Sequence, residues 1–275
     1  MNVMCHILDV TRAGFYAYGK RPVSARQARR AELIQRINQV YADSRGLYGS
    51  PRVTAELKEG GVVVCENTVA KLMGELELCS KIVRKFRPKT TDSNHPCPVA
   101  PNRLDRLFSA QEPNRKWCCD ITYIPTDEGT LYLAAVIDLC SRRIVGWSMA
   151  DHLRATLCMK ALEMALLHRR PGRELLHHSD RGVQYPCEDY QALLDQHQMQ
   201  CSMSGVGDCY DNAVMESFWG TLKQELLYQQ PDGRFETHEQ ARRRIFEYIE
   251  VFYNRQRRHS AIGYVSPEAF EAGLN

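Results

Sequence analysis

Eleven cysteines occur in this 275-residue chain, yet no two of them form a Cys-x-x-Cys pair. That removes the commonest spacing of a structural zinc site or a dithiol redox centre. Cys118 and Cys119 are adjacent in an extended run and so point to opposite faces. His95 and Cys97 lie close together in a loop without further ligand-type partners. The cysteines therefore read as free thiols of a reducing compartment. No apolar run reaches the roughly 18 to 20 residues that a membrane span needs. No sequence of basic, apolar and small-residue regions opens the chain as a secretory leader. These absences exclude a spanning protein and a secreted disulfide scaffold, and they point to the cytoplasm. The hydrophobic fraction, 44%, suffices for a buried core.

A strong net charge is also missing, for the formal total is only +3. The total conceals an asymmetry. Residues 1–116 carry 20 Lys and Arg against 11 Asp and Glu, whereas residues 117–275 carry 16 against 22. A basic front half beside an acidic back half suits DNA held by one part and processed by the other. In the front half, residues 25–41 read as an amphipathic helix with Leu33, Ile34, Ile37 and Val40 on one side. Residues 51–58 read as a second helix, with Pro51 in its first turn. Gly60-Gly61 makes a turn. Asn67 or Thr68 caps a third helix with Val69, Leu72, Met73 and Leu76 inward. Two short helices about a glycine turn resemble a helix-turn-helix, in which Arg52 and Lys71 are the DNA-binding candidates. Residues 81–102 are basic, then proline-rich, and read as an extended linker.

Three acids of the back half stand in contexts suited to metal ligands. Asp120 lies in Trp117-Cys118-Cys119-Asp120-Ile121-Thr122-Tyr123-Ile124, a β-branched and aromatic run that reads as a strand. Residues 131–139 and 143–149 read as two more strands, and the short connections favour an antiparallel meander. A helix over 154–169 follows, with Leu157, Ala161, Met164, Ala165 and Leu167 at helical spacing. Asp180 ends the short strand 174–180, where ligands of an α/β sheet collect. Gly205-Val206-Gly207-Asp208 reads as flexible, and Asp211-Asn212 caps a helix over 213–227. On that helix Glu216, Gly220 and Lys223 share one face, so Lys223 could hold a phosphate while Glu216 holds metal. Asp138, an acid in an apolar strand, reads equally as a competing ligand or as a loop-proximal acid. A last helix over 237–253 places Phe246, Ile249 and Tyr253 on its apolar stripe. The basic cluster Arg255, Arg257, Arg258 and His259 follows, with phosphate contact as its functional reading.

Taken jointly, these motifs resemble those of the second-reading-frame subunit (OrfB) of bacterial insertion-sequence transposases with a retroviral-integrase-like core. The resemblance is carried by Trp117-Cys118-Cys119-Asp120-Ile121-Thr122, by His178-Ser179-Asp180-Arg181-Gly182-Val183-Gln184-Tyr185 and by Tyr210-Asp211-Asn212-Ala213-Val214-Met215-Glu216-Ser217-Phe218. Leu222-Lys223-Gln224-Glu225 and a tail with Tyr253-Asn254, Arg257, His259-Ser260, Gly263-Tyr264 and Ser266-Pro267 complete it.

It implies an α/β fold: an RNase H-like mixed-sheet core over 103–275 with a C-terminal helical tail, and a smaller all-helical domain over 1–80. It further implies catalysis and metal binding by Asp120, Asp180 and Glu216, with Mg²⁺, or Mn²⁺ in its place, as cofactor. Lys223, Arg257, His259, Arg52 and Lys71 become candidate DNA contacts. The implied activity is strand cleavage at the element's ends and strand transfer into target DNA. Implied partners are duplex DNA, further copies of the chain, and an upstream-frame OrfA protein or fusion. Two alternatives share the fold: a nuclease that only hydrolyses, and an inactive DNA-binding remnant.

Overall fold

The computed structural model describes residues 2–7, 10–19, 23–81, 99–205 and 209–274. Most of the expected linker at 81–102, and residues 206–208 of the expected flexible stretch, lie outside the described residues. The chain divides into two compact units, Met1–Lys81 and Ile82–Asn275.

The first unit is helical: α1 (Asn2–Ile7), α2 (Arg12–Gly19), α3 (Ala25–Asp43), α4 (Ser50–Glu59) and α5 (Glu66–Glu75). Ser24 and Gln27 form a reciprocal capping box that starts α3, satisfying two backbone donors at once. Leu33 and Ile37 of α3, Val53 and Leu57 of α4, and Val69, Leu72 and Met73 of α5 are buried. An Arg30–Glu75 ion pair ties α3 to α5. The Tyr41 hydroxyl donates to the Cys79 carbonyl at 2.7 Å, which brings the chain after α5 back to α3.

The second unit is a five-stranded mixed sheet in the order β3-β2-β1-β4-β5. Its strands are β1 (Lys116–Thr126), β2 (Gly129–Asp138), β3 (Ile144–Ala150), β4 (Leu176–Ser179) and β5 (Gln200–Met203). β1, β2 and β3 form the expected antiparallel meander. β4 joins β1 in parallel, and β5 joins β4 in parallel. A parallel neighbour needs a crossover connection, and α6 (Ala155–Arg169) supplies it. α7 (Glu188–Gln196) makes the second crossover, from β4 to β5. Then come α8 (Ala213–Glu225), α9 (His238–Phe246) and α10 (Pro267–Ala272).

Strand alternation decides which side chains serve the core. Trp117 and Cys119 of β1, with Ala134 and Val136 of β2, pack beneath Leu157, Ala161, Leu162 and Ala165 of α6. Asp120, one residue on, faces the other way, where α8 lies against β1. Two details differ from the sequence reading. Leu167 is 69% exposed and Phe246 51% exposed, so neither lies on the buried stripe of its helix. The expected helix over 237–253 is α-helical only to Phe246 and continues as a π-helix, Glu247–Tyr253. The wider turn re-phases the helix, and Ile249, Phe252 and Tyr253 are its buried apolar side chains beside Tyr248.

Close approach of α6 to the sheet depends on Gly146 in β3. A Cβ there would fall on the Ala161 carbonyl oxygen and within 2.8 Å of the Ala165 Cβ. We expect Gly146→Ala to destabilise the second unit by about 1–3 kcal/mol or more through overpacking. Denaturant unfolding of the two proteins measures this, and equal midpoints would show that α6 is not in contact there.

Candidate active site

The register of β1 with β4 places the first two acids. The last paired rung is Cys119 beside Ser179. Asp120 and Asp180 are the next residue on each strand. They emerge side by side from chains roughly 4.8 Å apart, although 59 residues separate them in sequence.

Glu216 comes from the first turn of α8, which two hydrogen bonds hold on β1. The Trp219 indole Nε1 donates to Asp120 Oδ2 at 2.9 Å. Asn212 Nδ2 donates to the Cys119 carbonyl at 3.2 Å. Trp219 follows Glu216 by three residues and so shares its helix face. Helical spacing from Glu216 could have flagged it; the sequence reading passed over it.

The expected capping role of Asp211-Asn212 is replaced by a cross-link. Neither side chain caps α8. Asp211 accepts from the Gly205 N–H at 2.8 Å, from Asn102 at 2.9 Å and from Arg106 at 3.0 Å. Burial alone would raise its pKa, but these donors outweigh that and hold it below the usual carboxylate range.

Negative charge is concentrated around Asp120. Its pKa is raised, first by loss of solvent and then by the negative charge of Asp180, with a smaller push from Glu216. The Ile121 and Trp219 N–H groups act in the opposite direction. No proton carrier lies beneath to relieve it. His177 is fully buried, its Nε2 2.9 Å from both Cys119 Sγ and the Tyr190 hydroxyl, and burial pushes its pKa down to about 3. His178, between the hydroxyls of Ser202 and Ser204, is lowered by burial to about 4. Both imidazoles are neutral packing groups at pH 7.

Three carboxylates are hard oxygen donors, the set that Mg²⁺ and Mn²⁺ take. A divalent cation would reverse the local penalty that raises the Asp120 pKa, so the residues fit such an ion. Among the described residues, no three His, Cys, Asp or Glu side chains are already drawn together as a ligand set.

Asp138 is not a competing ligand. Its carboxylate accepts from the N–H groups of Asn114, Cys140 and Ser141 and from the Trp117 indole, which fastens the β2–β3 turn. Arg257 is also removed from the candidate DNA contacts. It is 4% exposed, and its guanidinium grips Glu225 through Nε and Nη2 at 2.8 Å each. The Tyr248 hydroxyl completes that cluster at 2.8 Å from Glu225. Arg258 is buried and donates to the Tyr264 carbonyl, and Arg255 pairs with Glu268 at 3.4 Å. The basic run of the tail is therefore largely spent on structure.

The other candidates are at least partly exposed. Lys223 is half-buried in the last turn of α8. His259 is half-buried, its ring 6.3 Å from that of Tyr253. In the first unit, Lys71 is exposed on α5, and Arg52 is half-buried with its guanidinium 5.6 Å from the Tyr48 ring centre.

Asp180 is oriented by the loop that follows it. The Gly182 N–H donates to Asp180 Oδ1 at 2.9 Å. A Cβ on Gly182 would lie 3.1 Å from that same oxygen and 3.0 Å from Gln184 Oε1. We expect Gly182→Ala to shift the carboxylate by a few tenths of an ångström. If the acids cut DNA as the family resemblance implies, cleavage should fall about tenfold, since small misplacements are costly, while the melting temperature holds. Cleavage kinetics beside a thermal melt make the check; unimpaired cleavage would show that Asp180 needs no such orientation.

The chain has close relatives. A family model described as an integrase core domain matches residues 110–209, a second integrase core model matches 197–267, and an HTH-like domain model matches 28–86. The chain is 45% identical over 267 residues to an insertion element IS600 uncharacterized 31 kDa protein of Shigella sonnei, covering 97% of each. It is 44% identical over 273 residues to the transposase InsF for insertion sequence IS3A of Escherichia coli (strain K12), covering 98% of this chain and 93% of that one. Among solved structures, the HTLV-2 integrase catalytic core domain in complex with magnesium aligns at a TM-score of 0.44 and 15% identity, over 58% of this chain and 97% of that one. Similarity this high over nearly all of both sequences means that the chain belongs to the insertion-sequence transposases, with InsF of IS3 among its relatives, and acts in DNA transposition.

Proposed function

We propose that Asp120, Asp180 and Glu216 bind a pair of divalent metal ions, Mg²⁺ or Mn²⁺, and that the chain both cuts a strand at the element's end and joins the freed 3′-hydroxyl to target DNA. One observation carries this reading: the parallel register aligns Asp120 with Asp180 while Trp219 fixes the Glu216 helix onto Asp120. When bound, the ions supply charge stabilisation and an activated oxygen nucleophile for in-line displacement. Asp120, whose carboxylate feels the charge of Asp180 and Glu216, would supply carboxylate oxygens to the ions together with them. The Gly182 N–H and the Trp219 indole hold two carboxylates in place before DNA arrives. Lys223, two turns along α8 from Glu216, holds a phosphate near the reacting end as a point charge. No covalent protein–DNA bond forms.

The HTH-like region of the first unit supplies the duplex contact in this reading, through Arg52 and Lys71. Further copies of the chain assemble on the DNA, and an upstream-frame protein joins them as partner or fusion.

Asp120→Asn, Asp180→Asn and Glu216→Gln should each lower Mg²⁺-dependent strand cleavage at least about a hundredfold while DNA binding persists. Cleavage and gel-shift assays on the same terminal-repeat DNA test this, and a variant that cuts normally removes its residue from the site. Pre-cut ends separate transfer from hydrolysis: a wild-type protein that nicks but never joins would be a nuclease.

Duplex binding in EDTA should weaken steeply as salt rises. Lys71→Ala should reduce the slope of log affinity against log salt by about one, the share of a single phosphate contact. A slope unchanged by the substitution would take α5 off the DNA.

A further inference from the structure

The turn between β2 and β3 holds a guanidinium that its described surroundings do not satisfy. Arg142 donates through Nη2 to the Phe108 carbonyl at 2.7 Å. Its Nε and Nη1 are shut off from solvent and have no acceptor among the described residues. Neighbouring Asp138 does not serve them, because its carboxylate is taken by four other N–H groups. A charged donor left unpaired in a buried place is costly and asks for an explanation.

Arg142 lines a cleft of about 260 Å³ whose walls also include Phe108, Ser217, Thr221, Tyr253 and His259. Ser217 and Thr221 lie one turn apart on α8 and offer two hydroxyls. Phe108 and His259, both half-buried, offer ring surfaces, with the buried Tyr253 behind the His259 ring. Ser217 directly follows Glu216, so the cleft opens about 100° around α8 from the acid. Across a helix roughly 10–12 Å wide, this puts the cleft on the order of 10 Å from the catalytic carboxylates.

These groups call for a ligand that is anionic at one end and flat and aromatic at the other. A guanidinium takes a phosphate through two parallel N–H bonds. Aromatic and imidazole faces take a base by stacking whatever its identity. An apolar ligand would leave Arg142 unpaired. A phosphate alone would leave the rings unused. A stacked base pair is too large for the cleft.

We propose that the cleft receives one unpaired nucleotide of a DNA strand, its phosphate on Arg142 and its base against Phe108 and His259. Nε and Nη1 are buried in the present rotamer, so holding the phosphate requires the guanidinium to turn toward the cleft. The site would hold a frayed strand beside the acids and so select an opened DNA end over intact duplex. The proposal rests on the reading of the chain as a strand-processing transposase, but it concerns binding, not the chemical step.

The test uses the full chain in EDTA, where the acids are catalytically silent, and a short fluorescein-labelled oligothymidylate. Wild-type protein should bind it. Arg142→Gln should weaken that binding about tenfold, the worth of one charge-assisted contact, with duplex binding unchanged. Thr221→Trp fills the cleft from α8 without touching Arg142 and should do the same; it decides the matter if Arg142→Gln fails to fold. An oligonucleotide carrying 5-iododeoxyuridine should photo-cross-link to peptides containing Phe108 or His259. Three results would overturn the proposal: no binding by wild type, wild-type affinity in both variants, or cross-links confined to other residues. Equal binding of an abasic oligonucleotide would reduce the cleft to a phosphate site and overturn the base contact. Tighter binding of an acidic peptide than of the oligonucleotide would make it a protein contact instead. Because triad substitutions leave this binding untouched, failure here and failure of the cleavage reading give different patterns.

Discussion

One parallel strand pairing organises the second unit. β1 and β4 must lie side by side with Cys119 opposite Ser179, or Asp120 and Asp180 do not meet. A slip of one residue would send Asp180 to the opposite face. Parallel pairing in turn demands a crossover, and α6 provides it only by pressing onto the sheet at Gly146. A bare glycine on β3 and a carboxylate on β1 are thus parts of the same arrangement. The α6 face is filled with apolar side chains, and the opposite face is left for acids and for α8.

Electrostatics divides the charged residues into two kinds. Some are fully used within the fold. Glu225 with Arg257, Asp211 with Arg106, and Glu271 with Arg143 and Arg169 each bind distant segments together. The Asp120 neighbourhood is different. Burial and like charge act together there, and both raise the Asp120 pKa. Such a cluster favours a bound counter-ion. Beneath it, the neutral layer of His177, Cys119 and Tyr190 allows no escape of charge inward. The field opens toward solvent and toward anything cationic that binds there.

Much of this was legible in the sequence, for reasons of local chemistry. β1 and β2 showed as β-branched and aromatic runs. The acids stood out because each sat in a strong strand or helix context. Of the five helices described in the first unit, α3, α4 and α5 followed from apolar spacing and from Pro51, while the short α1 and α2 went unread. What stayed hidden depended on contacts far along the chain. β5 has only four residues and no alternating pattern to mark it. The fate of Arg257 could not be read from a basic run, because Glu225 lies 32 residues away. Asp138 looked like a metal ligand because the turn it fastens closes through Asn114. Phe246 left its stripe because the following helix changes to a π repeat, which no spacing rule anticipates. Asn212 and Trp219 were visible in the motif, but their work in holding α8 on β1 shows only in three dimensions.

The outer edge of β3 shows a further property. Asn254 mimics a strand residue there, accepting from the Ile144 N–H at 2.9 Å and donating to its carbonyl at 2.9 Å. The Trp147 N–H reaches Met164 Sδ, and Arg242 donates to the Met149 carbonyl. Side chains from the tail, α6 and α9 thereby plug the backbone sites that another strand would use. A second chain therefore cannot extend this sheet through its β3 edge, and any contact made there must use side chains rather than backbone.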